Sequence, residues 1–213
     1  MACAPLLRSF SALTLLLYAV LLLPEAAHAL WPKPHSSHTG SHALRLDPSF
    51  HIDVEIGSPP DDLLAAVQRT RTQLFNDRLG RLVVDRGASD LPAAKAAKAL
   101  PSLKLTIGGD HTVRPIATEA QRPLDHRDEA YVLTVPADGS PATLVANSTL
   151  GLFRGLTTFS QLWYTVNDTV YTLKAPVSIW DRPAYVRMLR ASCSWCGAMV
   201  DVLLCLAVSG LYA

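Results

Sequence analysis

Phe50, Ile52, Val54 and Ile56 alternate with His51, Asp53 and Glu55, a period of two that predicts a half-buried strand. Gly57 ends it, and Ser58-Pro59-Pro60-Asp61 reads as a helix start. There Ser can cap, Pro suits the first turn and Asp favours the positive helix end. Leu63, Val67, Thr70 and Leu74 then recur at helical spacing on one face. Leu103, Leu105 and Ile107 alternate with Lys104 and Thr106, which predicts a second strand stopped by Gly108-Gly109. Residues 130–135 and 142–146 flank the turn-rich run Pro136-Ala137-Asp138-Gly139-Ser140-Pro141, the pattern of an antiparallel hairpin.

Ser148 can cap a second helix running to about Tyr164, with Leu152, Phe153, Leu156, Phe159, Leu162 and Trp163 as its apolar face. Gly151 and Gly155 stand one turn apart within it. Each costs a helix about 1 kcal/mol relative to Ala, so the pair predicts close approach of the helix backbone onto the sheet. Residues 169–173 offer another short strand. Residues 30–40, rich in Pro, His and Ser, read as a poorly structured lead-in, and a flexible segment is expected to extend to residue 45. Leu82-Val83-Val84 fits a short strand, residues 93–99 fit a helix or a solvated loop, and residues 110–128 read mainly as loop. The expected fold is α/β of the α+β kind. A mainly antiparallel sheet is covered by two helices in a two-layer sandwich around one core.

Composition places this domain in a compartment. The chain has 213 residues, 49% hydrophobic and 17% charged, against about 25% charged in a typical domain. Much of the excess apolarity sits at the ends. Arg8 precedes an apolar run over residues 9–23, and Ala27-His28-Ala29 follows as a small-x-small cleavage site. Residues 1–29 therefore read as a secretory signal peptide cleaved before Leu30, and the mature chain is expected to be secreted. Asn147-Ser148-Thr149 and Asn167-Asp168-Thr169 fit the N-glycosylation pattern, making Asn147 and Asn167 the candidate modification sites. A net charge of +1 argues against a nucleic-acid partner. No apolar run inside the mature body approaches the ~20 residues that span a bilayer.

Candidate chemistry is sparse. The sequence holds no G-x-S-x-G elbow, P-loop, G-x-G-x-x-G or H-E-x-x-H,. Cys3 leaves with the signal, and Cys193, Cys196 and Cys205 all lie in the last 21 residues. Cys193-x-x-Cys196 has no second pair to complete a four-ligand zinc site. His35, His38 and His42 read as a solvated tail, His51 as a surface residue, and His111 and His126 as loop residues without a motif. No metal and no cofactor is expected. Asp128-Glu129 is the one adjacent Asp-Glu pair, but neighbours on an extended segment point to opposite faces. The pair reads as a solvated strand entrance.

Four segments carry a resemblance. The run Leu150-Gly151-Leu152-Phe153-Arg154-Gly155-Leu156-Thr157-Thr158-Phe159-Ser160-Gln161-Leu162 is similar to a signature of eukaryotic β-N-acetylhexosaminidases, glycoside hydrolase family 20. Asp128-Glu129-Ala130-Tyr131-Val132-Leu133, Leu30-Trp31-Pro32-Lys33-Pro34 and the run from Val177 to Tyr185 resemble three further family segments, in family order. The style is closest to secreted fungal members. The resemblance implies an N-terminal, zincin-like accessory domain ahead of a TIM barrel. In the family that barrel removes terminal β-linked N-acetylhexosamine from chitin oligosaccharides or glycoconjugates. There a glutamic acid protonates the departing oxygen, while the substrate's own acetamido group attacks the anomeric carbon and a preceding aspartate orients it. No cofactor takes part, and N-acetylhexosamine-terminated glycans are the implied partners.

After Tyr185 the match departs from the family, which continues to an Arg-Gly pair and then L-D-x-x-R. Arg187 is not followed by Gly, and the aspartate is missing. Only 28 residues follow Tyr185, whereas a TIM barrel takes about 250. The expectation is a truncated hexosaminidase without catalytic or substrate-binding residues of its own. Its accessory domain would span residues 46–178, with the start of a linker at 179–185 and a non-family apolar tail at 186–213. The alternative is a stand-alone secreted glycan-binding or interaction module.

Overall fold

The computed structural model describes residues 30–109 and 112–182. The expected signal peptide, His111, Arg187, the apolar tail and all four cysteines lie outside them. Six strands form one sheet in the order β1-β2-β4-β3-β6-β5. They are β1 (Ser36–Glu55), β2 (Lys98–Ile107), β3 (Tyr131–Val135), β4 (Ala142–Ala146), β5 (Tyr164–Val166) and β6 (Thr169–Asp181). The β1–β2 and β2–β4 pairs are parallel; the other pairings are antiparallel. Among the described residues there is no TIM barrel. Helices α1 (Asp61–Asn76) and α4 (Thr149–Ser160) are the long ones. Short α2 (Leu91–Ala96) and α3 (Ile116–Gln121) occupy connections.

The lead-in differs from expectation. Instead of a loose segment, residues from Ser36 onward belong to β1, which pairs twice: with β6 through Arg45, and with β2 from Leu44 to Glu55. Leu44 and Leu46 are buried on either side of Arg45, so the alternation continues upstream of Phe50. The Pro/His/Ser-rich start forms strand because β6 supplies its ladder, a tertiary partner that local composition does not reveal. Between Leu46 and His51 the register slips. There Asp47 accepts the amide and hydroxyl of Ser49, a local turn inserted into the strand. At the other end, β6 continues to Asp181 and so includes the first three residues of the expected linker.

Two readings of helix ends also change. Helix α1 starts at Asp61 after Pro60, whose carbonyl takes the amides of Leu63 and Leu64. No side chain caps it, Ser58 included. Its buried face, Leu63, Ala66, Thr70 and Leu74, follows the expected spacing. Helix α4 ends at Ser160, short of Tyr164. Ser148 does cap it, its hydroxyl oxygen accepting the Gly151 amide at 3.0 Å. Leu82-Val83-Val84 forms no strand but an exposed turn. Residues 93–99 split between α2 and the start of β2, and the expected loop over 110–128 contains α3 and the 3-10 turn Leu124–His126.

The core lies between the helices and one sheet face. Leu103, Leu105, Leu133, Leu144, Val177 and Ile179 point inward from the strands, against Leu63 of α1 and Leu152, Leu156 and Phe159 of α4. A Cβ on Gly151 would stand 2.6 Å from the Ala130 carbonyl oxygen, and one on Gly155 would run into the Leu144 methyls. The two glycines therefore let α4 sit directly on β3 and β4, as their helical spacing implied. Phe50 stacks on Phe159 with ring centroids 5.9 Å apart, joining the bent part of β1 to the same helix.

Candidate functional site

The family-like segments, far apart in sequence, meet in one hydrogen-bonded seam. The side chain of Gln161, at the end of α4, clamps the backbone of Trp31. Its Oε1 accepts the Trp31 amide at 2.7 Å and its Nε2 donates to the Trp31 carbonyl at 2.8 Å. One turn earlier, the Thr158 hydroxyl lies 2.6 Å from the Tyr131 phenol, which also donates to Asp181 Oδ2 at 3.3 Å. Asp181 Oδ1 in turn accepts the amides of His35 and Arg182. Arg154 Nε donates to Glu129 Oε2 at 2.8 Å.

Burial pushes the Tyr131 phenol well above the usual tyrosine range, so it stays protonated at neutral pH and serves as a hydrogen-bonding strut. Asp128 closes the seam at the other end of α4. Its carbonyl accepts the Ser148 hydroxyl, and its carboxylate holds the Ala130 amide and the Asn147 side-chain amide. Every polar group in this chain of contacts is committed to joining elements.

Asp128 and Glu129 face different partners, as the extended backbone requires. The expectation that both are solvated fails at Glu129, which is buried because Arg154 supplies its counter-charge. Asn147, at the end of β4, is exposed and donates from Nδ2 to Asp128 Oδ2 at 3.0 Å. Asn167 is exposed in the β5–β6 turn, where it and Asp168 take φ of 44° and 63°, the left-handed pair that tight hairpins favour. His35, His38 and His42 are exposed, as expected, but the sheet places them rather than a loose tail. His38 and His42 lie in β1 opposite Ser178 and Ala175, and His35 sets its ring edge-on to Trp180 at 4.7 Å. Among the described residues no three of His, Cys, Asp and Glu gather as a metal site. Nor is any helix among them long and apolar enough to cross a membrane.

Two polar clusters lay hidden from sequence reasoning. Asp90 Oδ2 accepts from Arg81 at 2.6 Å and from the Tyr171 hydroxyl at 2.7 Å. Burial, then the bond to Asp90, raises the Tyr171 phenol. Glu119 is buried between Arg114 and Arg122; burial works to raise its carboxyl, but the two guanidiniums win and hold it low. Nearby in sequence to Asp90, Asp85 accepts the Gly87 and Ser89 amides. Its carboxyl is pulled down to about 2, chiefly by hydrogen bonding to Ser89 and Gly87. The short Asp-x-Gly spacing at Asp85 and the i,i+3 Glu119/Arg122 spacing offered local signals; the Asp90 cluster reaches Tyr171 across elements.

Two broad grooves of about 450 and 570 Å³ share Ala137 and Asp138. Asp138 is already engaged by the Ser140 amide and hydroxyl. Neither groove gathers a nucleophile, a base and an orienting partner.

Comparison with known proteins accounts for a domain built this way. Residues 30–162, more than half of the chain, match the family model described as "beta-acetyl hexosaminidase like". The chain belongs to the β-hexosaminidase family. The matched family domain is the N-terminal domain of glycoside hydrolase family 20. The chain is 30% identical to β-hexosaminidase 1 of Arabidopsis thaliana over 189 residues, covering 81% of this chain and 32% of that protein. It thus spans about a third of the relative's length. Among solved structures, a Flavobacterium johnsoniae chitobiase aligns with 73% of this chain and 21% of its own, at 20% identity and a TM-score of 0.45. A Streptomyces plicatus N-acetyl-β-hexosaminidase aligns with 76% of this chain and 28% of its own, at 18% identity and a TM-score of 0.42.

Proposed function

We propose that residues 30–182 act as the structural accessory domain of a β-N-acetylhexosaminidase. In this reading they carry no catalytic group, and they cover and steady a catalytic barrel that removes terminal β-linked N-acetylhexosamine. The supporting observation is that the family-like segments meet in bonds joining α4, β3, β6 and the lead-in, rather than around a pocket. Arg154, Glu129, Tyr131, Thr158, Gln161 and Asp181 are spent on holding the domain together. In this reading the hydrolase chemistry belongs to the barrel and not to residues 30–182. The implied substrates, N-acetylhexosamine-terminated glycans, belong to the barrel, and no cofactor is required.

A domain swap tests this. The matched third of the Arabidopsis enzyme is replaced by this chain through Arg182, and the chimera is compared with the same enzyme lacking that third. The proposal expects the chimera to be secreted and to hydrolyse an aryl β-N-acetylglucosaminide, while the deleted form is not recovered. Equal recovery of both forms contradicts it.

The same reading includes secretion after cleavage before Leu30 and glycosylation at Asn147 and Asn167. Asn167 stands on an open turn. At Asn147, a glycosylated amide retains one N–H with which to keep its bond to Asp128. Glycosidase treatment of the secreted chain should shift its mobility in two steps, with Asn147→Gln and Asn167→Gln each removing one. An unshifted chain from a glycosylating host contradicts this part.

A further inference from the structure

The outer face of the sheet, away from the two long helices, carries one apolar row. Val145 of β4 lies opposite Val132 of β3, and Val132 opposite Trp180 of β6. All three point away from the core, at 36%, 41% and 42% exposure. The next row along the same strands, Thr143, Thr134 and Ser178, is polar and exposed. His35 closes the far end of the apolar row, its ring edge-on to Trp180. Adjacent apolar side chains of this kind are more than scattered surface residues. They fall far short of the roughly 1,000 Å² that a stable protein interface takes.

Asn147 says what fits there. The alternation of β4 carries on past its end, so Asn147 is exposed on the same face as Thr143 and Val145. Its carboxamide is held crosswise. Oδ1 faces Gly108, whose amide donates to the Ala146 carbonyl just beyond β2, and Nδ2 donates to Asp128, which leads into β3. Gly108 puts no side chain on the β2 flank, and the nitrogen that would carry a sugar is held toward β3, the strand of Val132. Val145 is about 7 Å from Asn147 along the strand, and Trp180 lies about 10 Å from Val145 across two strand spacings. The two innermost sugars of an N-glycan are N-acetylglucosamines. Each presents a C–H face and an acetamido methyl, with hydroxyls around its edge. A narrow apolar row bordered by hydroxyl side chains matches that pattern.

We propose that the glycan on Asn147 lies down over Val145, Val132 and Trp180, so that its first sugars cover the outer sheet face. This rests on the glycosylation of Asn147 in the proposed function and gives that sugar a place on the fold. Asn167 has no such row to lie on, since it stands on the open β5–β6 turn at the other end of β6.

The secreted chain gives the test, treated while folded with an endoglycosidase that cuts between the two innermost N-acetylglucosamines. Cutting follows the lifted population of a glycan when lifting is fast relative to cutting, as proteolysis follows local opening. The Asn167 glycan is the reference within the same molecule. Asn147 should be trimmed about tenfold more slowly than Asn167, the ratio that covering about 60 Å² of apolar surface gives at about 25 cal/mol per Å². Val132→Thr with Trp180→Thr should bring the two rates together. Val132→Thr alone, a change that suits a strand, should close part of the gap. Equal rates in the unsubstituted chain overturn the proposal. So does a slow Asn147 rate that neither variant raises, since the protection then comes from elsewhere. A dimer of the glycosylated chain that the double substitution dissociates assigns the row to a second copy and overturns it too. A chain with no glycan at Asn147 from a glycosylating host overturns that part of the proposed function, and the cover with it, leaving the accessory role standing.

Discussion

Gly151 and Gly155 look equivalent in the sequence, but the atoms opposite them differ. At Gly151 the obstacle is the Ala130 carbonyl oxygen, part of the backbone entering β3; at Gly155 it is the end of the Leu144 side chain, which can rotate. Gly151→Ala should therefore destabilise the domain by about 2–3 kcal/mol, the upper range for overpacking. Gly155→Ala should cost less, because a Leu144 rotamer change and the better helix propensity of Ala, worth about 1 kcal/mol, offset part of the clash. Chemical denaturation of the two variants checks the order; equal losses would contradict it. The need for close approach was legible from the glycines and their spacing. Which glycine meets backbone was not, because that depends on β3 lying across the helix. Glu129 shows the same boundary: its charge suggested solvent until Arg154, 25 residues on, arrived beside it.

Among the elements, those fixed by local periodicity were readable: the alternation from Phe50 to Val54, the buried stripe of α1, the β3–β4 hairpin and the Ser148 cap. The first half of β1 was not, since its pairing with β6 joins residues more than a hundred positions apart. The segment from Leu79 to Asp90 misled for the opposite reason. Leu82, Val83 and Val84 have strand-like side chains, yet Leu82 is 91% exposed and Val84 fully so. What orders this segment is polar: Asp85 holds the turn, and Asp90 ties it to Arg81 and Tyr171. Stability should thus depend on the polar base rather than the apolar tip. Leu82→Lys should stay within about 0.5 kcal/mol of the parent chain. Tyr171→Phe, which removes one donor from Asp90, should cost about 1–2 kcal/mol. Thermal unfolding of both variants decides the point, and a larger loss from Leu82→Lys would reverse it.

At the scale of the whole molecule, the family was legible from short segments, and the structure explains why those segments suffice. They are the contacts that fasten α4, β3, β6 and the lead-in to one another. The sequence showed no catalytic motif, and the seam, being made across elements, was visible only in three dimensions. On the proposed function, this domain supplies architecture to a hydrolase and performs no hydrolysis itself. The most direct measurement is release of the aryl group from an aryl β-N-acetylglucosaminide by the purified full chain, beside a mock preparation and the domain-swap enzyme. The account predicts turnover from the domain-swap enzyme and none above mock from the chain alone. Turnover by the chain alone that survives repurification would contradict it.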